Sequence, residues 1–586
     1  MKKVDRRSFV KAMSAAPLLL SGRSLAAGSS SAAGLSLPQA VEADRRFNLT
    51  LQRVLEGDSP KYTHDFLLAD LRPTAERRFT EYSGDLSGRY IGALASAARV
   101  YGTDAPGLDS LVEKALALQK PEGYFGAPFH FDSPKDADMA LLWGNGRLLV
   151  GLLEYYQLRR SEAALAASRR IGDFLLRVST LMLSKPIRDA FGAQHFASSY
   201  ICWTQQTEGL ALLYGATKDQ RYGKLAESIA AVIERRPGDH VHGYLSSLRG
   251  VMELHAITRD PKLLAQCEQA WADITASRDL LLTGGVPEGW SPNNHRTEGC
   301  GEADWVRLNL QLRNTTGNAK YLDSAERAIF NELSFNQFAT GDFGHRVYTE
   351  TGLPAAGAAR AWWCCTLHGL RCFPDLQQNA FRVDGAVLRY EIPLDAWVET
   401  ETLTASAKST LPQNGTVRIR IEKGSSERQR IAVRQPAWAD AVSLSLNGTG
   451  PIEPVRQGYI SVEKPWIQGD VIELKYQMKL RSESSDIAGR QTFWHGPWLL
   501  GVSAEQNPGY FNELTADNRL IAAAGPVNGT SAKTSAFSVP IAATEMTYAQ
   551  AEYPDQPGTV HLRPIAEQTG LPTTSWEVRF LREKRS

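Results

Sequence analysis

Between about residue 38 and about residue 380, apolar side chains recur near i, i+3, i+4 and i+7, the spacing that lays one stripe along an α-helix. The clearest segments are Tyr90 to Tyr101, Leu108 to Leu118, Ala140 to Leu158, Glu162 to Leu176, Glu208 to Gly215, Gly223 to Ile233, Tyr244 to Ile257, Lys262 to Ile274, Glu302 to Arg313 and Ala319 to Leu333. They come in pairs joined by short polar turns. One turn recurs as ATKDQRY (216–222), ITRDPKL (257–263) and TTGNAKY (315–321), with Asp219, Asp260 or Asn318 placed to cap the helix that follows. A helical hairpin cannot bury its apolar face alone, so such units must stack on one another.

Past about Ala380 the period drops to two. VRIRIEK, AVSLSLNG, GYISVEK and DVIELKY alternate apolar with polar positions, are rich in β-branched residues and are punctuated by Asn-Gly and Gly-Asp turns. This half predicts antiparallel sheet arranged as a sandwich. Gly525 to Pro540, small and polar, reads as a loop, and Gly558 to Phe580 returns to strand-like alternation.

A chain of 586 residues exceeds one ordinary core. The expected layout is multidomain α+β: a leader over 1–28, a linker over 29–37, a helical catalytic domain over 38–380 and a β-sandwich region over 381–586. The leader has a basic start, a short apolar run and small residues near Ser24-Leu25-Ala26. Its run is far shorter than the roughly 20 residues a spanning helix needs, so it reads as a signal peptide. Arg6-Arg7-Ser8-Phe9-Val10-Lys11 fits the twin-arginine type, which points to a periplasmic or secreted protein. That route carries folded chains, so a metal could be loaded and thiols protected before export.

A formal charge of +1 with 22 % charged residues carries no nucleic-acid footprint, and no further segment is apolar enough for membrane insertion. A homodimer is left open.

Six cysteines serve the chain, and half of them lie in AWWCCTLHGLRCF, Ala361 to Phe373. Adjacent cysteines rarely bridge each other without strain. Upstream, TEGC places Glu298 and Cys300 one residue apart. Glu298, Cys300, Cys364 and Cys365 make a zinc-like donor set, although buried thiols also occur simply as small hydrophobes. Cys202, Cys267 and Cys372 show no partner pattern and read as buried thiols.

The motifs TGGVPEGW, TEGCGEADWVRLNLQL, YLDSAERAIFNEL and WWCCTLHG, in that order, resemble glycoside hydrolase family 127, the β-L-arabinofuranosidases, over roughly Tyr90 to Met478. The resemblance implies that the helical hairpins close into an (α/α)6 toroid. It also implies that Zn²⁺ sits on Glu298, Cys300, Cys364 and Cys365, that Cys364 is the nucleophile and that Glu288 is the acid/base. His240, with His242 as an alternative, and Tyr348 are the implied sugar contacts. His368 would orient a ligand, while Trp362 and Trp363 read as aromatic core or a stacking wall.

Two positions depart from the family pattern. Arg147 and Trp203 stand where the arabinofuranosidases carry histidines, and an arginine there raises the expectation of an acidic sugar. The expected function is therefore an exported, zinc-dependent, retaining exo-glycosidase acting on oligo- or polysaccharide fragments. A polysaccharide lyase and a non-catalytic glycan-binding protein are the competing readings.

Overall fold

The computed structural model describes residues 41–72, 77–192, 199–277, 279–290, 296–347, 360–450, 458–485, 487–503, 537–540, 559–567 and 576–581. The leader, the linker and Tyr348 lie outside them.

Among the described residues, twelve helices of eight residues or more occupy the first part of the chain. They are α1 (Ala43–Glu56), α2 (Asp85–Tyr101), α3 (Leu108–Leu116), α4 (Asp136–Arg159), α5 (Glu162–Met182), α6 (Gln206–Thr217), α7 (Gln220–Ala230), α8 (Val241–Thr258), α9 (Pro261–Ala276), α10 (Gly299–Thr316), α11 (Lys320–Arg327) and α12 (Trp363–Ala380). Helix α2 packs on α4, α4 on α6, α6 on α8, α8 on α10, α10 on α12, and α12 returns to α2. The remaining six back this ring from outside. The hairpins therefore close into the (α/α)6 toroid.

Position in the ring explains each helix's pattern. Asp85 to Ala97 of α2 and Gly299 to Leu310 of α10 are buried without interruption, as helices enclosed on every side must be. An outer helix such as α7 buries only a stripe: Tyr222, Gly223, Leu225, Ala226, Ile229 and Ala230. Glycines let the inner helices touch along their backbones. A Cβ on Gly151 of α4 would stand 2.2 Å from the carbonyl oxygen of Gly88 in α2.

The hairpin turns share one construction: a left-handed residue ends one helix and a capping side chain starts the next. Lys218 (φ 60°), Arg259 (φ 64°) and Gly317 (φ 75°) precede Asp219, Asp260 and Asn318. Those side chains accept from the backbone N–H of Arg221, Lys262 and Lys320.

A small antiparallel sheet joins β1 (Arg296–Glu298), which leads into α10, to β2 (Gly344–Val347) and β3 (Arg360–Ala361), which lie between α11 and α12, and pairs Glu298 with His345. The β region follows. Strands β4 (Phe381–Asp384) and β5 (Val387–Tyr390) join β9 (Ser425–Arg434) and β11 (Tyr459–Trp466) in a four-stranded sheet. Strands β6 (Ala396–Glu399), β7 (Thr404–Thr410), β8 (Thr416–Lys423), β10 (Ala441–Leu446) and β12 (Val471–Gln477) form a five-stranded one. Their buried alternate residues, among them Leu388, Ile431, Ile419 and Ile472, merge with the toroid's apolar core.

A third, seven-stranded sheet includes β13 (Leu480–Ser484), β14 (Arg490–His495), β15 (Trp498–Ser503) and β16 (Phe537–Pro540). Residues 537–540 are thus strand and not loop, because they pair with Thr559–Pro564. Among the described residues, no helix is long and apolar enough to cross a membrane.

Candidate active site and metal centre

Three helix N-termini converge on the site. Glu298 caps α10, Trp362 caps α12 and His240 caps α8. Cys300 therefore lies at the second position of α10, and Cys364 and Cys365 at the second and third positions of α12. Helix N-termini favour anionic side chains and depress thiol pKa values.

The three sulfurs meet although 64 residues separate Cys300 from Cys364 in the chain. Cys300 Sγ lies 3.7 Å from Cys365 Sγ, which lies 3.9 Å from Cys364 Sγ. None of them is disulfide-bonded. With Zn–S bonds of about 2.3 Å, two sulfurs on a tetrahedral ion stand about 3.8 Å apart. The observed separations match that edge, so this donor set fits zinc. Glu298 would complete a set of four, with a carboxylate oxygen within 4.8 Å of a Cys365 and a His345 donor atom.

The sulfurs are not equivalent. Cys300 and Cys365 are buried, whereas Cys364 keeps exposed surface. Hydrogen bonding from the Cys300 and Cys365 thiols, with the Arg89 cation adding, holds Cys364 well below the usual thiol value. Burial pushes Cys300 and Cys365 well above it. Negative charge therefore concentrates on the accessible sulfur.

Glu288 lies on the loop between α9 and β1. Its N–H donates to the carbonyl of Arg296 at 2.7 Å, and its carbonyl accepts from Val241 N–H at 2.9 Å, tying the loop to β1 and to the start of α8. Two further carboxylates pin the neighbourhood. Val286 N–H donates to Glu302, while Thr283 and Thr297 donate to Glu332. Glu332 arrives on a π-helical turn, Ala328–Leu333, a form that occurs frequently at functional sites.

One ligand atom from each of Glu288, Glu298 and His240 lies within 4.8 Å of the others. Burial first, and the Glu298 charge second, raise the Glu288 carboxyl above its ordinary value. Arg296 and His345 also face it. His240 Nε2 stands 3.2 Å from Glu298 Oε1. Burial opposes charge on both partners, but each outweighs it for the other, so Glu298 is held well below and His240 above their usual values.

Beneath the sulfurs lies a closed hydrogen-bond ring. Arg89 donates to His242 Nε2 at 2.9 Å and to His368 Nδ1 at 3.4 Å. An arginine can only donate, so both imidazoles accept there and carry their protons on the other nitrogen. Those nitrogens donate to Asp304, at 2.6 Å from His242 and 2.8 Å from His368. Burial keeps both rings neutral, His242 being pushed down to about 4. Arg89 also reaches Cys300 Sγ at 3.6 Å and is fixed by Asp85 at 2.7 Å.

The structure thus gathers Glu288, Glu298, Cys300, Cys364, Cys365 and His240 in one place. It gives Arg147 and Trp203 other surroundings. Arg147 is buried, donates to Gln205 and Ser246, and pairs with Glu208 at 3.3 Å; Glu208 is shared with Arg249 and Arg371. A guanidinium held inside that network is not offered to a carboxylate, so the ground for expecting an acidic sugar falls away. Trp203 has no exposed surface and packs in the core.

Arg89, Asp304 and His345 escaped the sequence reading. The Asp85 and Arg89 spacing of four is a helical ion-pair signal that could have pointed to Arg89. Nothing local marks His345, which reaches the site through the register of β1 and β2.

The family model for the GH127 catalytic domain, described as β-L-arabinofuranosidase, matches residues 71–378, and the GH127 middle-domain model matches residues 392–478. No curated protein matches the sequence. Among solved structures, a GH127 β-arabinofuranosidase is similar with a TM-score of 0.67 at 17% identity, covering 92% of this chain and 94% of that one. A GH127 β-L-arabinofuranosidase from Geobacillus stearothermophilus T6 gives 0.67 at 15%, covering 92% and 99%. A third structure, described as a glycoside hydrolase, gives 0.62 at 18%, covering 86% and 95%. At such identities these likenesses establish the fold.

Proposed function

The chain belongs to the GH127 β-L-arabinofuranosidase family of glycoside hydrolases, and on that footing we propose that it is an exported, zinc-dependent, retaining exo-glycosidase with Cys364 as nucleophile and Glu288 as acid/base. The observation that carries this reading is the thiol cluster: Cys365 Sγ stands at tetrahedral-edge distance from both Cys300 Sγ and Cys364 Sγ, and of the three only Cys364 is accessible. Cys300, Cys364, Cys365 and Glu298 would hold a zinc ion, which would keep the thiols deprotonated.

In the first half-reaction Cys364 Sγ forms a bond to the anomeric carbon while the carbon–oxygen bond to the leaving group breaks. Glu288 gives its proton to that oxygen. In the second half, the Glu288 carboxylate takes a proton from water, whose oxygen attacks the anomeric carbon and releases the Cys364 thiolate. Two displacements retain the anomeric configuration. Burial suits Glu288 to start as the protonated partner. His240, paired to Glu298, stands beside Glu288 where a sugar hydroxyl would be met.

A lyase would need a cation free to neutralise a uronate, whereas Arg147 is engaged by Glu208 and Gln205. Arabinofuranose-type sugars are therefore preferred over uronates as substrates. Export would follow from the Arg6-Arg7 signal and would be lost from an R6K/R7K leader.

The test is hydrolysis of an aryl β-L-arabinofuranoside with intact-protein mass spectrometry. Wild type should turn over and E288Q should accumulate a glycosyl adduct on Cys364. Full activity in C364A, or an adduct elsewhere, would overturn the assignment.

A further inference from the structure

Five donor side chains converge where a tetrahedral zinc ion takes four. Glu298, His345 and Cys365 each offer one atom within 4.8 Å of the others, and Cys300, Cys364 and Cys365 do the same. Cys365 is the corner common to both groups. His345 is placed by backbone pairing, standing directly across from Glu298 in the β1–β2 register. Its Nε2 lies 3.9 Å from Glu298 Oε2, and its ring lies against that of Trp362 with centroids 5.7 Å apart. Imidazole is a good zinc ligand, so the surplus donor is chemically competent.

The surplus answers a difficulty in the reaction. A thiolate lone pair committed to a metal is a weak nucleophile, and once Cys364 Sγ is bonded to the anomeric carbon it donates little. Only Cys300, Cys365 and Glu298 would then remain. We propose that His345 is a replacement ligand: its Nε2 lone pair takes the coordination position that Cys364 gives up on attack and yields it again when the sulfur–carbon bond breaks. The cost of freeing the nucleophile is lowered in this way without opening the metal to solvent. This inference rests on the reading of the thiol cluster as a zinc site.

C364A mimics the state in which the sulfur has left. Zinc affinity, measured by competition with a chromophoric chelator, should stay within about tenfold of wild type in C364A, with H345A alone equally mild. The double variant C364A/H345A should lose about 100-fold or more, beyond the 10–100-fold that removing an outer partner of a ligand costs. C364A/H345Q, which keeps a hydrogen-bond donor beside Glu298, should lose affinity likewise. Zinc K-edge absorption should show three sulfurs per zinc in wild type. In C364A it should show two sulfurs with imidazole scattering, and that scattering should vanish in both double variants.

The proposal is overturned if C364A/H345A or C364A/H345Q holds zinc as tightly as C364A, or if C364A shows no imidazole. Zinc bound by wild type through three sulfurs, together with either result, would sink the replacement role and leave the metal reading intact. A wild type that binds no zinc would sink both.

Discussion

In the proposed reaction Glu288 is an acid in one half and a base in the next, and its surroundings decide the pH at which it changes. Burial and the Glu298 charge both raise its pKa, so the protonated form persists above the ordinary carboxylate range near about 4.3. Rising pH removes that proton, so kcat/KM should fall along an alkaline limb that lies above that range. E288Q cannot titrate there. Its profile should lose the limb, and its rate should drop by about 10²–10⁴, less on substrates with a highly acidic leaving phenol. A wild-type limb unchanged in E288Q would assign the titration to another group. At Arg89 the expected effect is on stability. R89M leaves Asp85 without its buried cation and takes away the donor to His242 and His368 inside the toroid. Removing one partner of a buried pair costs about 3–5 kcal/mol, so the urea midpoint of R89M should fall accordingly.

At the scale of elements, the outer helices and the turns between hairpins are legible in the sequence because one face meets solvent and each turn needs its own capping residue. Asp219, Asp260 and Asn318 all accept backbone hydrogen bonds where their chemistry says they should. Helix α12 is not legible. It is buried along most of its length and carries Pro374 within it, so both the periodic stripe and the usual breaker rule mislead. The site divides in the same way. Glu298, Cys300, Cys364 and Cys365 stand out because adjacent thiols and a Glu-x-Cys step are rare combinations. His345 and Arg89 depend on strand register and on packing between distant helices, which no local spacing encodes. Packing also carries its own prediction. G151A places a methyl 2.2 Å from the Gly88 carbonyl, and since backbone cannot yield as a flexible side chain does, α2 and α4 must separate. Overpacking of this kind costs typically about 1–3 kcal/mol, and a lowered melting temperature in G151A is the outcome to look for.

At the scale of the whole molecule, the toroid and the β region are joined by charges as well as by apolar core. Arg434 on β9 donates to Glu326 of α11 at 2.7 Å and to Asp323 at 2.6 Å, and Trp438 donates to Glu326 at 3.0 Å. Arg313 of α10 meets Glu391, which also accepts from Tyr459 of β11. Asn331, on the same π-helical turn that presents Glu332 to the active-site loop, holds the backbone of Pro497 and Leu499. The β region thus braces the segment that positions Glu288. Arg434 is the sharpest place to test this bracing, because it and Glu326 are both almost fully buried. R434M leaves the Glu326 carboxylate uncompensated and should cost about 3–5 kcal/mol by urea denaturation. R434M/E326Q removes both charges and should recover much of that loss, since the penalty lies in the unpaired charge. A double variant as unstable as the sum of the two singles would mean that the pair contributes through shape alone. A coupling of about 1 kcal/mol or more would place the ion pair itself in the joint.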